Sequence, residues 1–142
     1  MIYPTKNIIF LELHVPDFIK VKDFYDKLDF KVVWEDPRNY LVMQLGDNVL
    51  GFYGGSEKIY KHPFFGQFPK STVRGYGVEI TIQVVDDIQN YYKKTSPTLP
   101  KDAISMPLTQ VNYKTSQKWE FRLVDPFGYY LHFTEPVNYL YQ

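Results

Sequence analysis

Two segments of this chain overlay without a gap: Phe10-Leu-Glu-Leu-His-Val-Pro-Asp17 on Glu79-Ile-Thr-Ile-Gln-Val-Val-Asp86. Each alternates in the period of a half-buried strand. In the first, Leu11, Leu13 and Val15 share an apolar face, while Phe10, Glu12 and His14 share the other. In the second, Val78, Ile80, Ile82 and Val84 face one way; Glu79, Thr81 and Gln83 face the other. Asp17 at the end of the first suits a helix N-cap, and Asp86-Asp87 start a second helix after the second. Apolar residues at helical spacing follow: Phe18, Val21, Phe24, Tyr25 and Leu28 after the first, Ile88, Tyr91 and Tyr92 after the second. The second helix is expected to end by Ser96-Pro97, because a residue before proline resists the helical region.

Three strand candidates follow each helix. They are 31–34, 40–45 and 49–53 in the first half, and 103–110, 118–124 and 129–135 in the second. Gly46-Asp47-Asn48 reads as a tight hairpin turn. Leu50-Gly51-Phe52 and Leu131-His132-Phe133 close the two halves after Gly- and Asp-containing turns. The pattern is therefore β-α-β-β-β, twice, with a period longer than that of solenoid repeats. Module one covers about 6–54 and module two about 78–136 of one domain, 1–142. Residues 55–77 are rich in Gly, Pro, Ser and Lys but hold Tyr60, Phe64, Phe65 and Phe68. They read as a long connection that packs through its aromatics.

At the end of the chain, Asp125-Pro126-Phe127-Gly128 parts two strands. Proline at the second position and glycine at the fourth suit a type I turn. Beyond it Tyr130, His132 and Thr134 face one side, Leu131 and Phe133 the other.

Composition narrows the function classes. Lys+Arg and Asp+Glu both number 16, so net charge is zero and no nucleic-acid or membrane-surface footprint is present. The absence of cysteine excludes disulfides, thiolate metal sites and cysteine nucleophiles. No signal-peptide pattern or membrane-length apolar run is read, so a soluble cytoplasmic protein is expected. Aromatic residues reach 18%, a supply that suits an aromatic-lined cavity, an interface or an aromatic core alike. No Ser-His-Asp order, phosphate-binding glycine loop or HExxH run occurs.

In this order and spacing, the chain resembles the vicinal oxygen chelate superfamily of glyoxalase, bleomycin-resistance and ring-cleaving dioxygenase proteins. The resemblance covers almost the whole chain. It rests on Val15-Pro-Asp17 with Phe24-Tyr25 and Leu28-Asp-Phe30, on Val84-Val-Asp86 with Tyr91-Tyr92, and on Trp119-Glu-Phe with Asp125-Pro-Phe-Gly128. It implies an α+β fold of two βαβββ modules forming a curled, cup-like eight-stranded open barrel. It also implies a homodimer, in which some members complete their sites.

Metal-dependent members carry His, Glu or Gln at four strand positions that correspond here to Phe10, Gly51, Glu79 and His132. Phenylalanine and glycine offer no donor, so a four-ligand site of that type is broken. Glu12 and His14 share Phe10's face, but a two-residue strand step moves a side chain by about 6–7 Å. The first expectation is thus a metal-free protein that binds an aromatic or heterocyclic small molecule in the cup. Its ligand-binding candidates are Phe10, Glu12, Gly51, Glu79, Thr81, Trp119, Tyr130 and His132. Trp34 and Tyr53 are further aromatic-cage candidates. The alternative is a lyase, isomerase or dioxygenase with a reduced or relocated divalent-metal site, in which Glu79 and His132 serve as ligands or catalytic groups. A third reading is an interaction protein whose cup is filled by its own side chains. Asp86, Asp87 and Asp125 are expected to cap and turn rather than catalyse.

Overall fold

The computed structural model describes residues 9–137. The two β-α-β-β-β units are present. Module one runs β1 (Glu12–Val15), α1 (Phe18–Asp26), β2 (Lys31–Asp36), β3 (Tyr40–Leu45) and β4 (Asn48–Gly54). Module two runs β5 (Glu79–Gln83), α2 (Ile88–Thr95), β6 (Ile104–Asn112), β7 (Gln117–Val124) and β8 (Tyr130–Thr134). The strand orders are β1-β4-β3-β2 and β5-β8-β7-β6. In each sheet the first strand pairs parallel with the last, and the other pairs are antiparallel. The fold is α+β, and the sheets stay open rather than closing into a barrel.

Registers repeat as the overlay requires: Glu12 lies opposite Gly51, and Thr81 opposite His132. The first strand is shorter than the alternating segment from Phe10 predicts. It begins at Glu12, so Phe10 precedes it, although the Gly51 amide still bonds the Leu11 carbonyl at 3.0 Å.

Local chemistry explains the helix limits. Asp17 has extended backbone, and its carboxylate accepts from the Ile19 and Lys20 amides at 2.9 and 3.1 Å. Asp87 does the same for Gln89 and Asn90. These bonds satisfy amides that a helix start otherwise leaves open. Helix α1 buries Phe18, Val21, Phe24 and Tyr25, and Asp29 then takes a left-handed φ of 64° to turn the chain toward β2. Helix α2 yields to a 3-10 turn at Ser96–Thr98, where Pro97 sits.

The apolar strand faces of both modules join in one core. Phe30, Leu41 and Phe52 belong to it from the first half, Phe121, Leu131 and Phe133 from the second. Phe121 and Phe133 stack with ring centroids 4.8 Å apart. Burying a side chain of this size contributes roughly 1.5–3 kcal/mol. Polar braces tie the halves together. The Tyr25 hydroxyl donates to buried Asp125 at 2.8 Å, and the Tyr91 hydroxyl to the Leu28 carbonyl at 2.7 Å. The Asn48 amide donates to the Gln83 carbonyl at 2.8 Å.

Asp125 acts as the turn residue expected. It accepts from the Phe127 and Tyr129 amides at 2.8 and 2.9 Å, and Gly128 closes the turn with a φ of 92°. The connection holds 3-10 turns at Glu57–Lys61 and Phe65–Gln67. Ile59 is buried, whereas Phe64, Phe65 and Phe68 each stay about half exposed.

Candidate functional site

On the polar face of the second sheet, three adjacent strands bring ionisable groups together. Arg122 on β7 reaches across β8 to Glu79 on β5, with Nε 2.5 Å from the carboxylate. It also donates to Glu120 at 2.9 Å. Glu120 is almost wholly buried and takes two more hydrogen bonds, from the Tyr113 hydroxyl at 2.7 Å and His132 Nε2 at 2.8 Å. Burial alone would raise the Glu120 carboxyl. The bonds from Tyr113, His132 and Arg122 outweigh it and hold the group below the usual range. His132 Nδ1 lies 3.3 Å from the Thr81 hydroxyl, so both ring nitrogens are engaged. With Nε2 protonated, His132 donates to Glu120 and accepts from Thr81. Tyr130 stands beside Glu79 in the register and bonds Ser105 at 3.1 Å.

The structure thus brings Glu79, Thr81, Tyr130 and His132 onto one face. Trp119 lies on the opposite face of β7, against the core. Glu120 and Arg122 escaped the sequence reading, although their parity along Trp119-Glu-Phe-Arg-Leu-Val placed them opposite the core residues.

On the matching face of the first sheet, the Phe10 ring lies over Gly51 beside the Tyr40 hydroxyl. A Cβ built on Gly51 would lie 2.6 Å from the Phe10 ring and 2.5 Å from the Tyr40 hydroxyl. The two first-module positions aligned with family ligands therefore pack on each other. Burial and the neighbouring Glu12 carboxylate raise the Tyr40 phenol. Among the described residues no three His, Asp or Glu side chains are grouped so as to hold a metal ion. Glu79, the aligned carboxylate, already bonds a guanidinium that carries its compensating charge. The residues present do not fit the four-ligand metal site of the resemblance.

A separate cavity of about 550 Å³ opens where the free edges of β1 and β5 meet the connection. Leu11 and Leu13 wall it on the β1 side, Val78 and Ile80 on the β5 side, and Tyr60, Phe65 and Val73 form part of its cover. Of the sequence candidates only Glu12 borders it, joined by His14. His14 Nε2 pairs with Glu12 at 3.1 Å, and its ring packs against Tyr53, His62 and Phe65. His14 Nδ1 is buried with no hydrogen-bond partner among the described residues. The Tyr129 hydroxyl braces the β1 edge, accepting from the His14 amide at 3.0 Å and donating to its carbonyl at 2.9 Å. Burial raises the Tyr129 phenol, against the lowering effect of Arg74. Nothing periodic in residues 55–77 marks them as a pocket wall, which is why spacing missed this cavity.

No protein-family model and no curated protein matches the chain. Solved structures do. A protein of unknown function from Agrobacterium tumefaciens str. C58 matches with TM-score 0.69 and 17% identity, over 95% of this chain and 98% of that one. A glyoxalase/bleomycin resistance protein/dioxygenase from Alicyclobacillus acidocaldarius matches with TM-score 0.64 and 17% identity, over 96% of each. A bleomycin-binding protein in complex with bleomycin matches with TM-score 0.61 and 19% identity, over 93% of this chain and all of that one. At such identities the likeness shows the fold. The chain shares its fold with these solved structures, among them a glyoxalase/bleomycin resistance protein/dioxygenase and a bleomycin-binding protein.

Proposed function

We propose that the chain binds a small aromatic or heterocyclic molecule without a resident metal, and that the ligand enters the cavity between the β1 and β5 edges. The observation that carries this reading is the cavity itself. Its volume, about 550 Å³, suits a small-molecule site, and its lining is mostly aliphatic and aromatic with a few polar groups. The likeness to a bleomycin-binding protein agrees with small-molecule binding on this scaffold. The polar face around His132 is self-satisfied, with Glu79, Glu120, Arg122 and His132 each bonded to another. A ligand there would have to displace charge-assisted bonds. A homodimer belongs to the same proposal: edge strand β2 leaves Val33 and Trp34 more than half exposed, at 51% and 56%, and a second copy would cover them.

Calorimetric screening with neutral aromatic and heterocyclic compounds is expected to find saturable, one-to-one binding that Val78→Asp removes. Val78 is exposed, so the substitution changes the cavity wall at little cost in stability. The competing reading is a metal-dependent lyase, isomerase or dioxygenase. Stoichiometric Zn, Ni, Mn or Fe on protein purified without chelator or affinity metal, lost in the Glu79→Ala/His132→Ala variant, would establish that reading instead.

A further inference from the structure

The cavity holds a charge whose compensation the described residues do not supply. Arg74 lines it and bonds the His14 carbonyl at 3.2 Å, with its guanidinium 5.4 Å from the Tyr60 ring centre. Among the described residues Arg74 forms no ion pair, and residues 1–8 and 138–142 contain no Asp or Glu. The other basic residue of the wall differs. Lys70 is paired with Glu57 at 3.2 Å and lies 4.6 Å from the Tyr60 ring centre. The one acidic wall residue, Glu12, is held by His14. A partly buried guanidinium held by the His14 carbonyl and beside the Tyr129 hydroxyl still has donors left in a planar fork that matches a carboxylate. Around it the wall is apolar, and Phe65 and Val73 keep 51% and 63% of their surface exposed. Such surface gains by covering a hydrocarbon or a ring.

We propose that the cavity recognises a planar aromatic carboxylic acid as its carboxylate anion. Arg74 receives the carboxylate, and the connection aromatics with Val73 and Val78 cover the ring. This rests on the small-molecule reading above and names the ligand class for the same cavity. A cationic ligand is disfavoured, because it would bring like charge against Arg74.

The test is titration calorimetry on the full chain with three probes of one shape: 1-naphthoate, 1-naphthamide and 1-naphthylmethylammonium. Wild type is expected to bind the acid at least about tenfold more tightly than the amide, and the ammonium most weakly, since a charge-assisted bond is lost in the amide. In Arg74→Gln the preference for the acid disappears while the amide affinity is kept. In Lys70→Gln the preference stays. Equal binding of acid and amide by wild type, or a preference that survives Arg74→Gln, would overturn the inference and leave the small-molecule reading standing. Binding of none of the three overturns both. The wild-type comparison decides the matter even if Arg74→Gln fails to fold.

Discussion

Gly51 shows how one residue can close a site. A methyl group there meets the Phe10 ring and the Tyr40 hydroxyl well inside contact distance. Gly51→Ala is expected to destabilise the fold by about 1–3 kcal/mol in a denaturant titration. Because Phe10→Ala removes the ring that the new methyl would meet, Phe10→Ala/Gly51→Ala should cost less than the sum of the single changes. A strictly additive result would mean that the two do not pack on each other. Glu120 is the counterpart in the second module. Its carboxyl is held below the ordinary range, so the unfolded chain binds a proton more readily than the folded one. That contribution to stability is present above the ordinary carboxyl pKa and is lost as pH falls through the lower folded value. Glu120→Gln is expected to cost about 1.5–3 kcal/mol at neutral pH and to flatten the acid side of the stability profile. An unchanged acid limb would contradict the network.

At the scale of elements, the two N-caps and the Tyr25–Asp125 brace fix where strands and helices begin and how the modules meet. Asp17→Ala is expected to lower stability by about 1 kcal/mol, since two α1 amides lose their acceptor. Tyr25→Phe takes one hydrogen bond from a buried carboxylate whose pKa burial already raises, against the bonds from Tyr129, Phe127 and Tyr25. A loss of about 1–3 kcal/mol follows. Equilibrium unfolding by circular dichroism measures both, and a change within error for Tyr25→Phe would remove the brace from the account. These elements were legible in the sequence for a physical reason. Strand alternation, aspartate caps and the Asp125-Pro-Phe-Gly128 turn are local signals, and the repeat doubled each of them. The limits of β1 were not, because Phe10 and Leu11 continue its pattern but leave the regular ladder at Glu12.

Over the whole molecule, the repeat positions two similar sheets, and their polar faces have diverged. One is covered by Phe10 on Gly51; the other is locked by an arginine between two carboxylates. The resemblance pointed to Glu79 and His132 as candidates but not to the residues that bond them, since Arg122 meets Glu79 only across three strands. The cavity was still less legible. It arises where two strand edges and an aperiodic connection come together, so no spacing along the chain encodes it. Among the described residues no helix is long and apolar enough to cross a membrane.

Entry of a small molecule between the β1 and β5 edges is tested by chemical-shift mapping of the labelled protein with the neutral probe 1-naphthamide. Saturable shifts are expected at Leu11, Phe65, Val73, Val78 and Ile80, with little change at Glu79, Thr81 and His132. Shifts centred on His132, or none at saturating probe, would rule out binding at this cavity.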